Sequence, residues 1–152
     1  MLPVPTKFTM VASGAEGATT LNAFDNALLG AGIGNLNLVR ISSILPPGAV
    51  EVPQLQIAPG TLVPTAYGSI TSTTPGELIA AAVSVAISEN DFGVIMEFSG
   101  KCSKDEAERT VAAMAEEAFR VRGMKLARLL VKGAEHRVVD KGCAFAAVAL
   151  WY

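Results

Sequence analysis

The sequence predicts a layered α/β domain, and three observations lead to that class. Segments with strand-like and helix-like apolar spacing follow one another in the order β-α-β-β-α-β-α-β-β. The last segment, Cys143 to Tyr152, is apolar at almost every position, as expected of a strand covered on both faces. Apolar residues make up 51% of the 152 residues and charged ones 17%, which is more apolar surface than one small core hides. A chain of this length folds as one domain and buries about 70% of its unfolded surface. Residues 1–152 are therefore expected to form a single domain, with subunit interfaces taking up the remaining apolar surface.

Each element follows from local signals. Lys7 to Ala12 is a short strand, and Ser13 to Gly17 is a turn. Thr19 or Thr20 caps a first helix in which Leu21, Phe24 and Leu28 recur at helical spacing before Gly30-Ala-Gly32 ends it. A second strand spans Asn35 to Leu45. Pro46, Pro47, Pro53 and Pro59, with Gly48 and Gly60, then make a loop that cannot enter a sheet interior. Leu62 to Thr73 is a third strand, with Pro64 near its start. Thr74-Pro-Gly-Glu77 reads as cap, first-turn proline and acid of a helix ending near Ile87. Phe92 to Phe98 is a strand with Phe92, Val94, Met96 and Phe98 on one face and Gly93, Ile95 and Glu97 on the other. Ser103-Lys-Asp-Glu106 is a capping box for a helix to Arg122, with Ala107, Val111, Met114, Ala118 and Val121 as its buried stripe. Leu126 to Val139 is a strand bulged or kinked at Gly133, and Cys143 to Tyr152 closes the chain.

Several function classes are disfavoured. The formal charge is −2 and the Lys and Arg residues are scattered, so no basic face for nucleic acid is expected. The longest apolar runs, Leu78 to Ile87 and Cys143 to Trp151, are about half of the roughly 20 residues a membrane span needs, so no membrane association is expected. Met1 to Thr6 lacks the features of a signal peptide, and the expected location is the cytoplasm. Cys102 and Cys143 fit no metal-ligand spacing, and His136 is the only histidine. Two free thiols, a surface histidine and no metal centre are the expectation.

Four polar features stand out. Ser42-Ser43 lies where a β-branched strand meets Pro46-Pro47-Gly48, a place where one peptide bond can be held in a fixed geometry. The Ser43 hydroxyl could attack the Ser42 carbonyl and replace the amide with an ester; an ordinary strand end with both hydroxyls bonded to backbone is the commoner arrangement. Asp25 lies beside the apolar stripe of the first helix, where a carboxylate needs a partner: a protein cation such as Arg40, or a cation on a substrate. Asn37 has the side-chain amide of an oxyanion donor, but six residues of straight strand would place it roughly 20 Å from Ser43. The chain must bend between them, or Asn37 serves a neighbouring subunit; otherwise it is a strand-edge amide bonded to backbone. Glu97 is the only ionisable group in its strand. It is either a solvated carboxylate or a desolvated one able to carry a proton near neutrality.

Separated blocks, in order, carry a resemblance that covers nearly the whole chain. They are Leu21-Asn-Ala-Phe-Asp-Asn-Ala-Leu-Leu29, Gly32-Ile-Gly-Asn-Leu-Asn37, Arg40-Ile-Ser-Ser-Ile-Leu-Pro-Pro47, Leu62-Val-Pro-Thr-Ala-Tyr-Gly68, Gly100-Lys-Cys-Ser-Lys104 and Gly142-Cys-Ala-Phe-Ala-Ala-Val-Ala-Leu-Trp-Tyr152. In these blocks the chain resembles the pyruvoyl-dependent arginine decarboxylase family. The resemblance implies a four-layer αββα sandwich that assembles as a homotrimer of self-cleaved chains, 1–42 and 43–152, with sites between subunits.

It also implies roles. Cleavage between Ser42 and Ser43 would convert Ser43 into a pyruvoyl group, with Asn37 as oxyanion donor and Glu97 as the acid. Asp25 would receive the substrate guanidinium, and Leu21, Gly34 and Leu36 would line the pocket. The implied reaction is decarboxylation of L-arginine to agmatine, with no pyridoxal phosphate or metal. The same chemistry on another amino acid, or an unprocessed non-catalytic homologue, are the alternatives.

Overall fold

The computed structural model describes all 152 residues, from Met1 to Tyr152. Two sheets pack face to face. One has the strand order β2-β5-β9-β1-β4, built from β1 (Lys7–Glu16), β2 (Asn37–Arg40), β4 (Val50–Glu51), β5 (Leu62–Ser72) and β9 (Gly142–Trp151). The other has the order β3-β7-β6-β8, from β3 (Ile44–Leu45), β6 (Leu78–Ile87), β7 (Gly93–Gly100) and β8 (Arg128–Arg137). Helix α1 (Thr20–Gly30) covers the first sheet through Ala23, Ala27 and Leu28 against Phe145 and Ala147. Helix α2 (Lys104–Arg122) covers the second through Ala107, Val111, Ala115 and Phe119. Between the sheets lies the main core, with Phe8, Ile79, Val83, Val85, Ile95 and Val148 among its members. The result is the four-layer αββα sandwich. No helix is long and apolar enough to cross a membrane.

The segment Leu78–Ile87, predicted as a helix, is instead the central strand β6. Its ten residues are apolar on both faces, and periodicity cannot tell such a run from a buried helix. Ile79, Ala81, Val83 and Val85 enter the core between the sheets, while Ala80, Ala82 and Ala86 lie under α2. Alanine serves there because a helix must approach closely, not because it favours helix. The hydroxyl of Ser84, the polar member of the run, donates to the Val111 carbonyl in α2 at 2.8 Å. The apparent cap at Thr74–Glu77 is a turn: Gly76 takes a left-handed φ of 84° and donates its N–H to the Val138 carbonyl.

Other boundaries move for similar reasons. β1 continues through the predicted turn to Glu16 because β9 offers a partner at every step up to Gly142. The single strand expected over Asn35–Leu45 is divided: β2 pairs with β5 in one sheet, and β3 pairs with β7 in the other. The loop after it contributes only the edge strand β4, parallel to β1. The register of β8 against β6 runs through Gly133↔Ala82 without an inserted residue, so the expected bulge is absent. Capping by Ser103 and closure at Gly123 hold as expected for α2. Its buried face includes Ala115 and Phe119, while Val121 is 73% exposed and faces away. Leu21 likewise lies outside the core, 74% exposed at the start of α1.

Candidate active site

The chain between α1 and β3 builds the site. After α1 it turns through Gly34, where an added Cβ would lie 2.5 Å from Leu29 Cδ2, so only glycine lets the turn close onto the helix. It then enters β2 and leaves one sheet for the other across Ile41, Ser42 and Ser43. A cleft of about 520 Å³ opens between α1 and β2, and Leu21, Asp25, Gly34, Leu36 and Asn37 all line it, with Tyr67 of β5. Four pocket residues proposed from sequence, together with Asn37, thus meet in one place. Another cleft, of about 460 Å³, is lined by Thr9, Glu51 and Lys132 among others and includes none of the proposed site residues.

Asp25 is exposed on the wall of this cleft and enters no ion pair. Arg40, its candidate partner within the chain, is committed elsewhere. The Arg40 guanidinium stacks 4.3 Å from the Tyr67 ring centroid. It also donates to the Tyr67 carbonyl. Tyr67 is held in turn by Phe24 and Phe145, with ring centroids 6.3 and 5.7 Å away. Aromatic contacts of this kind fix the ring as a floor for the cleft.

The serine pair sits at the crossing between the sheets. Ser42 is exposed and Ser43 half-buried. The Ile95 amide donates to the Ser43 carbonyl at 2.7 Å, which fixes the serine against β7. Glu97 follows two residues along β7, on the same face as Ile95 and about 7 Å further on. That face looks into the layer between the sheets, where Ile95 is fully buried and Glu97 is half-buried. Desolvation raises the Glu97 pKa, and the nearby charge of Arg40 offsets part of the rise.

Asn37 makes no hydrogen bond to either serine within the chain. Its side-chain amide donates to the Gly60 carbonyl at 2.9 Å, and its backbone N–H bonds Thr61. The chain does bend between Asn37 and Ser43, as its change of sheet requires, but the amide here is bonded to backbone.

Sequence reasoning missed the Arg40–Tyr67 pair as part of the site. Both lie inside the quoted blocks, yet their contact depends on the pairing of β2 with β5, which no local signal encodes. It also missed that His136 is half-buried, with Nε2 2.5 Å from Glu16 Oε2. Cys102 and Cys143 are free thiols.

Comparison with known proteins shows the family. A family model described as pyruvoyl-dependent arginine decarboxylase matches residues 7–152. A protein of Methanocaldococcus jannaschii named pyruvoyl-dependent arginine decarboxylase is 56% identical over 151 residues, covering 98% of this chain and 92% of that protein. One of the same name from Pyrococcus furiosus is 48% identical over 151 residues, covering 97% of this chain and 96% of its own length. Another, from Methanococcus maripaludis, is 47% identical over 150 residues. With a family match over nearly the whole chain and relatives at these identities, the chain belongs to the pyruvoyl-dependent arginine decarboxylase family.

Proposed function

We propose that this chain cuts itself between Ser42 and Ser43 and that the processed protein decarboxylates L-arginine to agmatine and CO2. The observation that carries the reading is the position of the serine pair. It lies at the crossing between the sheets, with the Ser43 carbonyl held by the amide of Ile95, and Ile95 is two residues before Glu97 on the same face of β7. Attack by Ser43 Oγ on the Ser42 carbonyl carbon breaks the amide C–N bond and forms an ester. Loss of the Ser43 α-proton then breaks the Cβ–O bond, which leaves a carboxylate on Ser42 and dehydroalanine at 43. Tautomerisation and hydrolysis, consuming water and releasing ammonia, give the pyruvoyl group. The residues present fit that group: Ser43 is half-buried at the crossing, and its carbonyl is held by the Ile95 amide.

A pyruvoyl group at position 43 would supply an electrophilic carbonyl that serves as an electron sink for decarboxylation of an amino acid. The chain's own residues do the rest. Asp25 receives the guanidinium at the far end of the cleft, and Leu21, Gly34 and Leu36 shape the passage for the aliphatic stem. Glu97, whose pKa desolvation raises, delivers a proton to the α-carbon. Asn37 assists the acyl shift as oxyanion donor, either by releasing Gly60 or by serving a neighbouring subunit.

The reading includes a homotrimer with sites between subunits, in the cytoplasm. Leu21, Val39, Ile44 and Leu62 are large apolar side chains left exposed on and beside β2 and β3, the edge strands that flank the serine pair. Such surface around a site is what a subunit contact would cover. Intact-mass measurement tests the cleavage, with fragments 1–42 and 43–152 expected. CO2 release from carboxyl-labelled amino acids tests the substrate, and sedimentation tests the assembly.

A further inference from the structure

Arg40 joins the two parts of the site. It ends β2, two residues before the serine pair, and its guanidinium is fixed by both the Tyr67 ring and the Tyr67 carbonyl. Tyr67 lines the cleft that holds Asp25. The next residue, Gly68, lies so near β7 that an added Cβ would be 3.4 Å from Glu97 Cβ. Arg40, Tyr67, Gly68 and Glu97 therefore form one contiguous path from the cleft to the carboxyl. A guanidinium stacked on a ring, with an N–H committed to a carbonyl, has a defined place. It does not close onto Glu97: the ion pairs of the chain join Lys101 to Glu77, Arg120 to Glu117, His136 to Glu16 and Lys141 to Asp140.

We propose that Arg40 is a positioning residue for the reaction: anchored on Tyr67, its charge stands near Glu97 without pairing with it and keeps that carboxyl able to give up its proton. This rests on the reading of Glu97 as the acid. The chemistry asks for such an intermediate arrangement. A general acid works best when its pKa lies near the operating pH. Burial alone makes the carboxyl a progressively weaker acid, while a direct ion pair would keep it ionised and leave no proton to transfer. A cation held at one remove lies between these extremes.

Glu97 also has neighbours on β6 and β5. Its partner on β6 is Val83, and Val83 is paired on its other side with Lys132 of β8. Lys132 is thus two strand spacings from Glu97, roughly 10 Å. Gly68 and Tyr67 present no formal charge from β5. Desolvation raises the Glu97 pKa, and the charge of Arg40 offsets part of that rise.

The test is direct titration of Glu97 by NMR of carboxyl-labelled glutamate in processed, substrate-free protein, alongside the pH profile of kcat. In Arg40→Gln the Glu97 titration should move to higher pH, and the alkaline limb of kcat should move with it. Arg40→Lys, which keeps the charge, should stay close to the unaltered protein. Arg40→Met keeps the aliphatic stem over Tyr67 and serves if the glutamine variant does not fold. An unmoved titration in a charge-deleting variant, or an equal displacement in Arg40→Lys, overturns the proposal. If the titration moves as expected while Glu97→Gln turns over arginine at full rate, the acid role of Glu97 is what fails, so the two readings fall on different measurements.

Discussion

The backbone amide of Ile95 donates to the carbonyl of Ser43 at 2.7 Å, tying the residue after the expected cut to the strand that carries Glu97. Cleavage between Ser42 and Ser43 would therefore leave the new terminus anchored beside the acid. Ser43→Ala removes the attacking hydroxyl and keeps that backbone bond, so it should fold and remain one chain. Intact mass would show it, and a variant that still splits at the same bond would rule out the proposed chemistry. Asn37→Ala should mature more slowly; unchanged maturation would leave only the bond to Gly60 as the role of its amide.

The parts of the fold legible in the sequence were those with local signals. Helix α2 announces itself through the Ser103 cap and Glu106, and both faces of β7 follow from simple alternation. The run Leu78–Ile87 carries no period, and only the two layers that sandwich it make it a strand. The break of the chain between β2 and β3 was hidden because Val39 to Leu45 keeps a strand-like composition while its two halves pair in different sheets. Asp25, Gly34 and Leu36 could be placed by family resemblance. The contacts of Arg40 with Tyr67 and of Glu16 with His136, 120 residues apart, arise only when the strands are assembled.

Glu97→Gln should separate activity from stability. A carboxyl whose folded pKa is raised binds more protons folded than unfolded, so its contribution to stability declines as pH rises from the unfolded pKa through the folded one. Glutamine cannot ionise and escapes that decline. The variant should lose most turnover in fragments confirmed to carry the pyruvoyl group, while its Tm at neutral pH stays at or above that of the unaltered protein. Full turnover would return Glu97 to a structural role.

Glu16 should make the fold sensitive to acid. Its carboxylate accepts from the backbone amides of Val139, Asp140 and Lys141 and meets His136 Nε2 at 2.5 Å. Desolvation raises its pKa, but the hydrogen bonds with His136, Asp140 and Val139 and the charge of His136 together outweigh it and bring the value from 4.5 down to about 2. A depressed folded pKa contributes stability above the unfolded value that is lost as pH falls toward the folded one, here from about 4.5 toward about 2. Glu16→Gln should cost about 1 to 2 kcal/mol near neutrality, where its charged hydrogen bonds count. Its stability should also vary less with pH across that acidic window. Denaturant unfolding at a series of pH values checks both, and parallel curves for the two proteins would remove Glu16 as the source.

Substrate choice tests the cleft itself. A guanidinium is planar and presents paired N–H donors that match a fixed carboxylate, whereas the ammonium of lysine is compact, more strongly hydrated and carried on a stem of different reach. Asp25 stands on the wall of the cleft without an ion-pair partner, since Arg40 is held by Tyr67. Arginine should therefore be preferred over lysine, ornithine, histidine and aspartate in competition followed by CO2 release. A charged hydrogen bond contributes about 1.5 to 3 kcal/mol, or roughly tenfold to a hundredfold or more in affinity. Asp25→Asn should raise the KM for arginine by about that factor and leave cleavage at Ser43 intact, because the anchor acts on the far end of the substrate. Loss of cleavage in that variant would make Asp25 a folding residue. Preference for aspartate, which the Asp25 carboxylate would repel, would overturn the pocket assignment and the substrate together while leaving the chemistry of the serine pair standing.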